Sequence, residues 1–190
     1  MAKVNRTLDE AIDEVFKDYK KAFKVAAQEA TEQARKDLYA NAVSCLDQYY
    51  RDYEPNVFTD DNGLLYGYVR TYSLINSFVP YANSIREVGD GFYCSAGVNF
   101  DPSKIENTYY GSAIYSPTDA EWIISNFLAG IHPRTNGSQS VGGGNYENEA
   151  YYGSVVPAEI MQRYIDGYDR TFDRNFRRSV SKQILRAIRK

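Results

Sequence analysis

Histidine occurs once, at His132, tryptophan once, and cysteine only twice in 190 residues. One histidine among scattered acids does not supply the three or four donors that a metal centre needs, and there is no CxxC pair to add to it. No GxSxG elbow, no GxxxxGK[ST] phosphate loop and no GxGxxG turn is present, so the common nucleophilic, nucleotide and dinucleotide chemistries have no motif to stand on. No metal, no cofactor and no catalytic set is therefore expected. Cys45 and Cys94 lie far apart, one in a helical pattern and one in a strand-like pattern. In a chain that is not secreted they are expected as buried thiols rather than a disulfide. No apolar run approaches the roughly 18 uncharged residues of a membrane span. The opening MAKVNRTLDEAIDEVF meets charges before any apolar block forms, unlike a secretory signal. The protein is expected to be made and kept in a cytoplasm until something takes it up, with no membrane partner.

What is abundant is tyrosine, with 18 copies. Its ring can be buried while its hydroxyl stays wet, which suits both strands and protein interfaces. Apolar residues make up 43% of the chain, and 190 residues suit a single domain with a core of its own. The net charge of −3 is unevenly spread. Residues 91–160 hold two basic and seven acidic side chains, a balance of −5, whereas 170–190 hold eight basic and one acidic, a balance of +7. Such polarity lets a chain meet a partner, or a copy of itself, head to tail.

Thr7-Leu8-Asp9-Glu10 reads as a capping box. Behind it runs a stripe at helical spacing: Leu8, Ile12, Val15, Tyr19, Ala22, Ala26, Ala30, Ala34, Leu38, Ala42, Leu46, Tyr49 and Tyr53. Neither Gly nor Pro interrupts it before Pro55, which predicts a helix of about 45 residues, roughly 65 Å long, either broken or projecting. The alanines thin the stripe enough for another helix to approach closely; a coiled coil is the weaker alternative. Residues 54–63 are turn chemistry, and Leu64 to Phe78 reads as extended or mixed. Ser84 to Val88 and Phe92 to Phe100 flank Gly89-Asp90-Gly91, a hairpin signal, and Tyr109 to Tyr115 reads as a further strand. A second capping box, Thr118 to Glu121, opens a helix over Trp122 to Leu128, with Gly130 as its C′ residue. The polar stretch Thr135 to Glu149, containing Gly142-Gly143-Gly144, reads as a mobile loop. Pro157 opens a last helix whose apolar residues recur every fourth position from Ile160 to Ile188. That spacing wraps around the rod, so the helix either bends near Gly167 or turns its two halves to different neighbours. The order is α+β: a long helix, a small antiparallel sheet, a short helix, a loop and a long helix.

Three features invite chemistry. His132 as a base would make a hydrolase, but nothing around it supplies a nucleophile, and a structural role is preferred. The acid pairs Asp60–Asp61 and Glu147–Glu149 read as solvated loop residues. Arg174, Arg177, Arg178, Lys182 and Arg186 form a basic helix end, a possible contact surface for DNA. A solvated helix terminus, whose macrodipole favours cations, is the plainer account.

Tyr53-x-Pro55 followed by Tyr68-x-Arg70-Thr71-x-x-Leu74-x-x-Ser77-Phe78 resembles a pattern in the tail-completion proteins of tailed bacteriophages, also described as head–tail joining or neck minor structural proteins. Gly130-Ile131-His132 and the closing helix Phe172 to Ile188 stand where that family has its last motif and last helix. Tyr72 replaces a glycine common in the family, and the Gly-rich loop reads as an insertion. The resemblance implies a virion protein, assembled in the host cytoplasm. It would form a homo-oligomeric ring between the connector or head-completion proteins and the tail tube, near DNA but without catalysis. It also implies that Arg70, Thr71, Tyr72, Leu74 and Ser77 brace a joint or interface. Arg70 brings five fixed donors and Thr71 a hydroxyl for a nearby backbone group. Arg70→Ala is expected to lower melting temperature or assembly; a variant that folds, melts and assembles like the parent would sink the bracing role.

Overall fold

The structure is a computed structural model, which describes residues 8–51, 57–59, 65–68, 73–89, 91–105, 109–110, 120–133, 150–152 and 155–188. The protein is α+β. Helix α1, Leu8–Arg51, runs 44 residues without a break, as the absence of Gly and Pro requires. Strands β1 (Val57–Thr59) and β2 (Leu65–Tyr68) pair antiparallel, with Phe58 opposite Tyr66, and β2 also pairs with β7 (Tyr109–Tyr110). The 3-10 helix Ser73–Ser77 leads into β3 (Phe78–Ala82), which pairs with β6 (Ala96–Phe100). Between them, β4 (Arg86–Val88) and β5 (Gly91–Tyr93) form the expected hairpin. Gly89 takes φ 57° in its turn, a conformation glycine adopts without a Cβ clash. A second 3-10 turn, Pro102–Lys104, is capped by Asp101, whose carboxylate accepts from Ser103 N and Oγ. Helix α2 (Ala120–Ala129) is followed by β8 (Ile131–Pro133), which pairs with β9 (Ala150–Tyr152). Helices α3 (Pro157–Asp166) and α4 (Asp169–Ile188) close the chain.

The contacts gather into two compact units: residues 1–37, 81–97 and 167–190 in the first, and 38–80 with 98–166 in the second. The single last helix expected from Pro157 is thus two, parted at Gly167–Tyr168, and its halves belong to different units. The stretch 54–63, expected as turn alone, contains strand β1. Within the segment expected as extended or mixed, Ser73–Ser77 is a 3-10 helix.

The second unit holds the aromatic core. Ala42, Cys45, Leu46 and Tyr49 from α1 meet Leu74, Phe78, Ile124 and Phe127. Phe127 is fully buried and lies edge-on to Tyr49, with ring centroids 5.4 Å apart, and near Phe78 and Phe100 at 5.6 and 6.3 Å. The Tyr49 hydroxyl donates to Ile131 O at 2.8 Å, so its polar end is satisfied. Burial pushes the Cys45 thiol pKa up. Gly130 ends α2 with φ 68°, its N–H on Phe127 O, and a Cβ there would collide with Val155 O.

The first unit has a thinner seam. Ala26, Ala27, Ala30 and Ala34 are buried on one side of α1. Contacts with α4 lie beside them: Phe23 stacks on Phe176 at 6.1 Å, Ser179 bonds Glu29, and Tyr168 bonds Asp37. The last two contacts run in opposite directions along the two helices, which are therefore antiparallel. The small alanine side chains allow this approach, as their spacing predicted.

Phe127→Ala is expected to cost about 3–5 kcal/mol, the usual range for emptying an aromatic site in a core. Gly130→Ala is expected to cost more than the roughly 1 kcal/mol of left-handed strain alone, because the new methyl meets a carbonyl. Urea unfolding monitored by tyrosine fluorescence checks both; a loss under about 1 kcal/mol for Phe127→Ala would contradict this packing.

Candidate functional site

The residues singled out in the sequence fall into two groups. Arg70, Thr71 and Tyr72 lie outside the described residues. Leu74 and Ser77 are on the 3-10 helix Ser73–Ser77 and are almost wholly buried, at 4% and 0% exposure. Ser77 Oγ donates to Leu74 O at 2.7 Å, while Ser77 O accepts from Asp101 N at 2.8 Å. Both side chains therefore sit inside the second unit and present no docking surface. His132 lies on β8 with its backbone opposite Tyr151. Among the described residues, no group of three His, Cys, Asp or Glu could hold a metal ion, and no helix is long and apolar enough to cross a membrane.

The basic helix end divides by face. Arg174, Arg178 and Lys182, four residues apart on α4, line a groove of about 430 Å³ in the first unit. Its other wall is the α1 row Glu29, Gln33 and Asp37, also four residues apart. Helical spacing puts each row on one face. Arg177 points elsewhere and pairs with Asp173 at 2.9 Å, which raises its pKa. Arg186 is exposed and is not part of the groove wall.

The acids of the groove are held by neutral donors rather than by its cations. Glu29 accepts from Ser179 Oγ and, at 3.0 Å, from Gln183 Nε2. Asp37 accepts from Tyr168 Oη at 2.5 Å and from Gln33 Nε2 at 2.8 Å. Arg174, Arg178 and Lys182 make no ion pair with a described residue, so their charge is not spent inside the fold. Glu29, Asp37, Tyr168 and Ser179 were not picked out by sequence reasoning. The signal was there: Glu29, Gln33 and Asp37 flank the alanine stripe at its own spacing.

A second surface lies toward the start of α1. Ile12, Val15, Phe16 and Tyr19 are 43%, 53%, 67% and 44% exposed, although their spacing is that of a packed face. A turn further on, Lys20 and Lys24 reach Glu87 on β4 at 2.9 and 3.5 Å. The Lys20 ammonium, bonded to it, and then Lys24 hold the Glu87 carboxyl below the usual carboxylate range. Nothing among the described residues covers these four apolar side chains. The sequence stripe contained Ile12, Val15 and Tyr19, and its length allowed a projecting helix without saying which end would be bare.

No protein-family model, curated protein or solved structure matches the chain.

The pairing of Tyr168 with Asp37 is expected to show a coupling of about 1 kcal/mol in a double-mutant cycle of Tyr168→Phe and Asp37→Asn, since the acceptor is charged but only half-buried. Strictly additive losses in thermal or urea unfolding would remove this contact from the account of how α4 is held.

Proposed function

We propose that this protein is a non-enzymatic structural subunit of a tailed-bacteriophage particle, placed at the head–tail junction or the tail terminus. There, copies of it would form a ring joining connector to tail tube. The single observation that carries a structural role is the bare apolar stripe on α1. Burying one such side chain is worth roughly 1.5–3 kcal/mol, so leaving several in water favours association. The position in a particle rests on the resemblance of Tyr53 to Phe78, of Gly130-Ile131-His132 and of the closing helix to tail-completion proteins. Charge supports the ring: the acidic stretch 91–160 and the basic stretch 170–190 can meet between neighbouring copies, and a head-to-tail contact whose rotation closes gives a ring.

A second reading has its own observation. Arg174, Arg178 and Lys182 form a cationic row with no ion pair to any described residue, and phosphate binding needs little more. In this reading the protein binds DNA or assists packaging. Glu29 and Asp37 on the opposite wall of the groove weaken it.

Mass spectrometry of density-purified phage particles, scaled to the major capsid protein, separates the two. The structural reading expects roughly a dozen copies or fewer per particle, the count of one closed ring. Absence from intact particles, with the protein plentiful in the lysate, overturns it. The DNA reading then requires a gel shift at low salt that Arg174→Glu with Arg178→Glu abolishes. These exposed sites are better targets than truncation of α4, which the first unit needs for its packing.

A further inference from the structure

We infer that Gly167 is a pivot through which α4 passes to a second copy, where it takes on that copy's α1 the place it holds on its own. The inference rests on the structural reading above and names how neighbouring copies are joined. The turn between α3 and α4 is two residues, Gly167 and Tyr168. Tyr168 O accepts from Phe172 N at 2.9 Å, so the hydrogen-bond ladder of α4 starts on the second of them. A glycine after a helix commonly serves as a left-handed cap. Gly167 does not take a positive φ, so this turn is not one that only glycine can make. The apolar pattern also runs on across it unchanged: Ile160, Tyr164, Tyr168, Phe172, Phe176, Val180, Ile184 and Ile188 follow each other by fours. As one helix, Pro157 to Ile188 would pair carbonyls at the end of α3 with amides at the start of α4, groups that a helix boundary leaves to other partners. Against it stands a glycine inside a helix, which disfavours that form about fivefold relative to alanine. The parted and the continuous form are thus close competitors, and joining the two helices carries α4 off its own α1.

What α4 then leaves, a second copy gives back. Phe176 stacks on Phe23, while Tyr168 donates to Asp37, and Ser179 and Gln183 donate to Glu29. One side of each contact lies on α4 and the other on α1. The α1 of another copy presents the same ring and the same two carboxylates in the same order. The exchange restores every one of these bonds and requires no new chemistry, which selects a second copy over an unrelated protein. Returned by the partner, the exchange makes a pair; passed on in one direction, each α4 to the next copy, it closes a ring.

The test uses the full chain. Size-exclusion chromatography over a range of concentrations is run on the parent, on Gly167→Ala and on a chain with two glycines inserted after Gly167. Circular dichroism checks that all three fold. The expected result is a larger species in equilibrium with the monomer. Gly167→Ala should lower its dissociation constant at least about tenfold, since alanine favours the continuous helix at both pivots of a pair. The inserted glycines should raise it. The topology is read with Phe23→Cys and Phe176→Cys in one chain, with Cys94→Ser removing the half-exposed native thiol. A short bismaleimide should link positions 23 and 176 within one chain in the monomer fraction and between two chains in the larger species, as denaturing gels and mapped peptides show. A chain that stays monomeric at every concentration even with Gly167→Ala overturns the inference. An oligomer whose 23–176 link stays within each chain overturns it too, as does one that Gly167→Ala leaves unchanged. These results are read on the free protein, so the inference stands or falls apart from the search for the protein in particles.

Discussion

An apolar stripe on an uninterrupted helix gains by being covered along its length, and α1 is covered over two stretches and bare among the described residues over a third. From Ala42 to Tyr49 the stripe enters an aromatic core, where Leu46 and Tyr49 have large partners such as Phe127. From Ala26 to Ala34 it is narrow, and α4 packs beside it. From Ile12 to Tyr19 it widens again and has no described cover. Among the described contacts of α4 with α1, the stack of Phe176 on Phe23 reaches furthest toward the start of α1.

The thin seam also decides how the polar residues are used. Alanines cover little area, so the polar flanks of the seam carry much of its specificity. Glu29 and Asp37 sit there and are satisfied by a serine, a tyrosine and two glutamines. With these carboxylates held by neutral donors, Arg174, Arg178 and Lys182 stand at the rim without an ion pair to any described residue. Basic residues in the second half of a helix also complement its macrodipole, so this arrangement does not oppose the fold.

Where the sequence was legible, one local cause sufficed. The missing Gly and Pro give α1, Gly89 and Gly91 give the β4–β5 hairpin, and Gly130 gives the end of α2. Wrapping of the four-residue spacing allowed either a bend near Gly167 or one helix with two sets of neighbours, and the structure parts the helix there. What escaped depends on distant partners. Val57–Thr59, Ile131–Pro133 and Ala150–Tyr152 are three-residue strands, too short to show a period and defined only by their pairing. Leu74 and Ser77 looked extended because apolar and polar residues alternate around them. Yet a 3-10 turn with the Ser77 hydroxyl on Leu74 O buries both. Of the residues read as functional, the basic row could be placed on its face from spacing alone, but not the divergence of Arg177 toward Asp173. The exposure of Phe16 was beyond reach, since periodicity says which residues share a face and not whether anything lies against it.

The two surfaces of the first unit differ in the force they use, and this constrains how an assembly could be built. Burial of the α1 stripe would draw on apolar area, which salt does not screen. The cationic row and the acidic stretch 91–160 act through fields that fade beyond about 8–10 Å at moderate salt. A head-to-tail contact through opposite charge would therefore loosen as salt rises, whereas a contact through the stripe would hold.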